Sequence, residues 1–170
     1  MASSAAPLYT SEERRRRDNS PWTVVQAVLA PLQFVVFLVS LWLVISYLAT
    51  GVGYQAAALS VVVKTCFLYA IMITGSIWEK DVFGKWLFAP AFFWEDVVSM
   101  LVLALHTAYL VGLWLGWGAG PLMWLALAAY ATYVVNAAQF LIKLRAARLQ
   151  KPQADEALSS SPNMQGAARA

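Results

Sequence analysis

The sequence predicts an all-α integral membrane protein, a four-transmembrane-helix bundle with both termini in the cytoplasm. Three observations carry that expectation. Of its 170 residues, 61% are hydrophobic and 12% charged, with eight tryptophans, a balance foreign to soluble domains. No Asp, Glu, Lys, Arg or His occurs between residues 19 and 63, and His106 is the sole one between residues 97 and 142. Each gap has room for spans of roughly 20 residues, the length a helix needs to cross a bilayer. Barrel-like alternation is absent, and a helix is then the only spanning structure that satisfies every backbone amide internally.

Breakers place the elements. A polar, basic segment over residues 1–20 has little to bury and is expected to be mostly disordered. The first span is expected over about 22–49, stopped by "TGVGYQ", with Pro31 as a point of kinking. The second covers about 56–78. The third, behind the helix-starting Pro90, covers about 91–115, and the fourth about 121–142, behind "GWGAG". These spans make one domain over 21–149, and the polar tail at 150–170 is expected to be disordered.

Ten cations set the orientation: Arg14 to Arg17, Lys80 and Lys85, and Lys143, Arg145, Arg148 and Lys151 all fall on one side of the four spans. The other two loops have none, so the positive-inside rule puts both termini and the 79–89 loop in the cytoplasm. The net charge of +3 is therefore read as a topology signal, not as a nucleic-acid surface. Only the arginine run is dense enough to meet anionic lipid headgroups. A single cysteine, Cys66, excludes an intrachain disulfide and reads as an inert core thiol. Gly112, Gly116 and Gly120 make a repeated GxxxG that points to close helix packing.

The stretch "FFWEDVVSMLVLALHTAYL", residues 92–110, poses the functional question, because an apolar span there carries Glu95, Asp96 and His106. Intramembrane polar groups usually face a bundle interior or a wet cavity. Glu95, Ser99, Val102 and His106 project on nearly one helical face. Glu79, Gln26, Asn136 and Gln139 fall at the level of the two acids. Lys64 and His106 form a second, deeper level, where they are potential neighbours. Structural readings stand beside these: helix-dipole or lysine pairing for the acids, interhelical hydrogen bonding for Asn136 and Gln139, and packing for His106. Signatures of haem pairs, HExxH, P-loops and dinucleotide folds are absent. The residues alone leave a membrane enzyme and a membrane scaffold both open.

Three runs carry a family resemblance: "PLYTSEERRRRDNSPWTVVQAVLAPLQFVVFLVSL", "VVVKTCFLYAIMITGSIWEKDVFGKWLFAPAFFWEDVVSMLVLALHTAYL" and "YVVNAAQFLIKLRAARL". Over nearly all of residues 7–149 the chain resembles the 3-vinyl bacteriochlorophyllide hydratases of bacteriochlorophyll biosynthesis. The resemblance implies addition of water across the C3 vinyl group of chlorophyllide a or a related bacteriochlorophyllide. The enzyme would be a hydro-lyase of the bacterial inner or intracytoplasmic photosynthetic membrane. It would need no cofactor, magnesium arriving within the substrate. No residue assignment comes with the resemblance. From the residues, Glu79, Glu95 and Asp96 are expected to be catalytic, with Glu95 or Glu79 the acid and Asp96 acting on water. Lys64, Asn136, Gln139 and His106 are expected to bind substrate, His106 through its magnesium or a carbonyl, with Lys80 and Lys85 as clamps for the propionate. Lipid and neighbouring pigment-biosynthesis enzymes are the expected partners. A non-enzymatic pigment carrier is the leading alternative, and a small transporter, without an internal repeat, is a weaker one.

Overall fold

The structure, a computed structural model, describes the backbone of residues 8–160 and the side chains of residues 8–146. Regular structure among the described residues is all-helical, in five helices: α1 (Ser11–Asn19), α2 (Pro21–Thr50), α3 (Tyr54–Phe83), α4 (Phe93–Trp114) and α5 (Ala119–Ser160). Four segments are long and apolar enough to cross a membrane: α2, α3, α4 and Ala119–Ala146 of α5.

Local chemistry explains the boundaries. Pro21 opens α2, where its missing N–H is no loss, and the helix runs unbroken through Pro31. Gly51, at φ 73°, terminates α2 in the left-handed conformation that side chains avoid, and its N–H bonds the Tyr47 carbonyl at 2.8 Å. Gly84, at φ 77°, ends α3 in the same way.

Helix α1 falls within residues 1–20, the segment expected to be mostly disordered, of which residues 1–7 lie outside the described residues. Thr10 caps it: its hydroxyl accepts from the Glu13 N–H at 3.2 Å, while Glu13 accepts from the Thr10 N–H at 2.8 Å. Tyr9, buried, stacks on Phe83 at 5.7 Å between centroids and receives the Arg17 guanidinium on its face. Helix α5 likewise continues to Ser160, into the expected tail; residues 161–170 lie outside the described residues.

The long helices associate as two hairpins, α2 with α3 and α4 with α5, joined by thinner contacts of α2 on α5 and α3 on α4. Phe37, Val61, Leu68, Val102, Tyr109 and Tyr130 lie in their shared core. Outward faces are apolar, with Trp42, Ile73, Trp124 and Leu141 exposed, as a lipid-facing surface demands. Cys66 belongs to that outer surface, not to the core as expected. Gly112 alone of the glycine triplet makes a close approach: a Cβ there would lie 2.7 Å from the Trp117 ring. Gly116, at φ 73°, is a turn residue, and nothing lies within 4 Å of a Cβ on Gly120.

Candidate functional site: an acidic level and a deeper polar level

At the end of the molecule where α1 and the α3–α4 loop lie, three carboxyl groups are buried together: Glu79 at 5% exposure, Glu95 at 7% and Asp96 at 4%. Glu79 stands one turn before the end of α3, and Glu95 and Asp96 occupy the first turn of α4. The intervening loop folds back over them. The Phe88 N–H donates to Asp96 Oδ2 at 2.8 Å, and the Ala89 N–H donates to Glu79 Oε2 at 3.1 Å. Phe88 takes φ 58° to do this, the left-handed region that a bulky residue rarely enters. The Glu79 and Asp96 carboxyls, held by the amides of adjacent loop residues, are near enough to interact electrostatically.

Glu95 has different company. Its Oε2 meets Lys143 Nζ of α5 at 2.6 Å, and the same ammonium donates to the Ala91 carbonyl and lies 5.1 Å from the Phe92 ring centroid. Asn136 Nδ2 donates to the Glu95 carbonyl and to Ser99 Oγ, each at 2.9 Å, and Ser99 donates to Asn136 Oδ1 at 3.2 Å. The three acids thus divide into a carboxyl pair held by backbone amides and an ion pair held by lysine.

Beneath the loop lies an aromatic floor of Phe92 flanked by Trp78, Phe83 and Phe140, with ring centroids 5.7 to 5.9 Å from that of Phe92. Tyr9, just before the Thr10 cap of α1, closes it. Burial raises the Tyr9 phenol above its usual range, against the lowering effect of Arg17.

About 15 Å further along α4, ten residues of helical rise, is the second level. Lys64 and His106 are both fully buried and near enough to interact electrostatically. His106 Nδ1 donates to the Val102 carbonyl at 2.8 Å. The Lys64 ammonium lies 3.8 Å from the Tyr133 ring centroid. Neither Lys64 Nζ, His106 Nε2 nor Tyr109 OH has a hydrogen-bond partner among the described residues. Tyr130, 5.9 Å from His106 between ring centroids, is held by Ser40 at 2.5 Å.

Other expected members lie apart. Lys80 donates to the Gly84 carbonyl at 3.0 Å, so it caps the end of α3; Lys85 is exposed. Neither touches the acids, so the cation at the site is Lys143. Sequence reasoning treats that residue only as a topology charge, although its place seven residues after Asn136 puts both on one face of α5. Gln26 bonds Thr74 at 2.7 Å, joining α2 to α3 away from the acids. Gln139 is half-buried, with its Oε1 unbonded among the described residues. The two loop amides could not have been found from sequence, since every residue but proline has one. No group of three or more His, Cys, Asp or Glu suited to a metal occurs among the described residues.

Residues 9–146 match the family model for 2-vinyl bacteriochlorophyllide hydratase (BCHF). A 2-vinyl bacteriochlorophyllide hydratase of Rhodobacter capsulatus is 64% identical over 148 residues, covering 87% of this chain and 86% of that one. One from Cereibacter sphaeroides is 65% identical over 150 residues, covering 86% and 94%. No solved structure matches.

Proposed function

Because the chain belongs to the 2-vinyl bacteriochlorophyllide hydratase family, a lyase family of bacteriochlorophyll biosynthesis, we propose that its acidic level is where water is added. The substrate is chlorophyllide a or a related bacteriochlorophyllide, and the product carries a 1-hydroxyethyl group at the same carbon. We take the 2-vinyl group of the family name and the C3 vinyl group to be one substituent under two ring numberings.

The observation that carries the mechanism is that the Glu79 and Asp96 carboxyls are buried together, bound by the amides of the adjacent residues Ala89 and Phe88. Two carboxyl groups buried side by side hold a proton between them, since two carboxylates there would only repel. That proton goes to the terminal vinyl carbon, and the cation left at the inner carbon is spread over the conjugated ring. Water attacks there and returns its proton to the carboxylate pair, so the site ends as it began. The Phe88 and Ala89 amides hold the two carboxyls in place while the charge moves. Glu95 plays a different part. Bound to Lys143, it fixes the start of α4 against α5.

Both termini and the α3–α4 loop are assigned to the cytoplasmic side of the bacterial inner or intracytoplasmic membrane, from the positions of Lys and Arg. The flat pigment then arrives from the inner leaflet. Neighbouring pathway enzymes deliver and collect it within the membrane. The protein's own chemistry needs no cofactor, magnesium entering as part of the substrate.

The test is product analysis. Membranes containing the wild type, Glu79→Gln or Asp96→Asn are incubated with chlorophyllide a, and the gain of one water is read by mass spectrometry. Each amide variant is expected to be slower by about 100-fold or more, the usual contribution of a positioned acid or base. Wild-type rates from both folded variants would remove the carboxyl pair from the mechanism.

A further inference from the structure

The acidic level leaves unused three fully buried polar atoms at the second level, Lys64 Nζ, His106 Nε2 and Tyr109 OH. A buried donor or acceptor without a partner costs about 1–3 kcal/mol, and a charged one more, so three at one depth ask for a common occupant. They lie at the seam between hairpins: Lys64 comes from α3 of one pair, His106 and Tyr109 from α4 of the other. Helices within each hairpin pack broadly and the contacts across the seam are thinner, so parting the two hairpins breaks the fewest contacts.

The histidine's hydrogen bond selects the ligand chemistry. A carbonyl only accepts, so Nδ1, 2.8 Å from the Val102 oxygen, carries the imidazole hydrogen and Nε2 presents a lone pair. That nitrogen can ligate a metal and cannot donate to a carbonyl. The lysine is the complement, with three donors and no acceptor. Aromatic faces of Tyr130 and Tyr133 adjoin them, suited to a flat conjugated ring.

Building on the hydratase reading, we propose that the seam between the two hairpins is the macrocycle's berth, with His106 Nε2 the axial ligand of its magnesium and Lys64 donating to a carbonyl on its edge. The berth sets how the ring is turned, and so which of its edges faces the acidic level.

Equilibrium binding to purified protein in detergent tests this without turnover. Chlorophyllide a and its magnesium-free counterpart are titrated against the wild type, His106→Ala and Lys64→Met, with occupancy read from pigment absorbance and magnesium coordination by resonance Raman spectroscopy. The wild type should favour the magnesium form by at least about tenfold and show an axial nitrogen ligand. His106→Ala should lose that preference and regain it with added imidazole. Lys64→Met should weaken both pigments alike. Equal wild-type affinity for the two pigments would overturn the proposal without any variant, as would a preference that survives in His106→Ala. The two readings fail separately: the berth fails in these titrations whatever the product assay gives, and hydration fails by absence of product in a protein that still ligates the pigment.

Discussion

Lys143→Met separates an ion pair that organises the site from one that performs its chemistry. The Lys143 side chain is 25% exposed and that of Glu95 9%, so the pair is intermediate between a surface bridge and a buried one. Surface pairs contribute about 0–1 kcal/mol, whereas removing one partner of a buried pair costs about 3–5 kcal/mol. The ammonium also holds the Ala91 carbonyl, at the hinge between the loop over the acids and α4. A loss of about 2–3 kcal/mol follows, which would lower kcat/KM by roughly 30- to 150-fold if it all falls on site geometry. Glu95→Gln alone should cost less, because the stranded ammonium keeps the Ala91 carbonyl and some contact with solvent. The double variant is decisive: with both charges gone, nothing is left unpaired, and activity should recover by at least about tenfold over Lys143→Met. Hydration rates in membranes, normalised to folded protein, measure it. If Glu95→Gln is as inactive as Glu79→Gln and the double variant recovers nothing, Glu95 is itself the acid and the division of labour between the two acidic pairs is wrong.

Further outcomes test the scaffold. Phe88→Gly relieves a left-handed conformation while keeping the amide that holds Asp96, so activity should persist; Phe88→Pro removes that N–H and demands φ near −65°, so hydration should fall well below wild type in product assays. Gly112→Ala should lower the thermal midpoint in detergent by an amount equivalent to about 1 kcal/mol, because the added methyl meets the Trp117 ring and Leu122, and Trp117→Ala should restore most of it. Thr10→Ala should weaken α1 by about 1 kcal/mol and raise amide exchange there, leaving the long helices unchanged.

Some of this protein is legible one residue at a time. Charge-free runs, Gly and Pro breakers and the Lys/Arg asymmetry depend only on local composition, so the four long apolar helices can be read with ends within a few residues for α2 and α4. Helix α3 runs on to Phe83, past the expected end at 78, because the charged "WEKD" turn stays helical until Gly84 stops it. The family is legible too, since "IWEKDVFGKWLFAPAFFWEDV" is long and distinctive. The capped helix α1 escapes such a reading because its stability rests on Tyr9 meeting Phe83 and Phe92, residues far along the chain.

Helical periodicity can place Glu95, Ser99 and His106 on one face, and it can bring Glu79, Glu95, Asp96, Asn136 and Gln139 to one depth. It cannot say which of them touch. That Glu79 and Asp96 share the loop amides while Glu95 meets Lys143 follows from the rotation of α3 and α5 against α4, which the packing of Phe92, Phe140 and Val82 settles. The direction of two loop amides and the free nitrogen of His106 are decided the same way. Sequence determined which chemical groups lie on the long apolar helices and how far along them, because hydropathy and helical rise are properties of each segment alone. Tertiary structure decided their partners, because a side chain's hydrogen bonds depend on helices that are neighbours in space and distant in the chain.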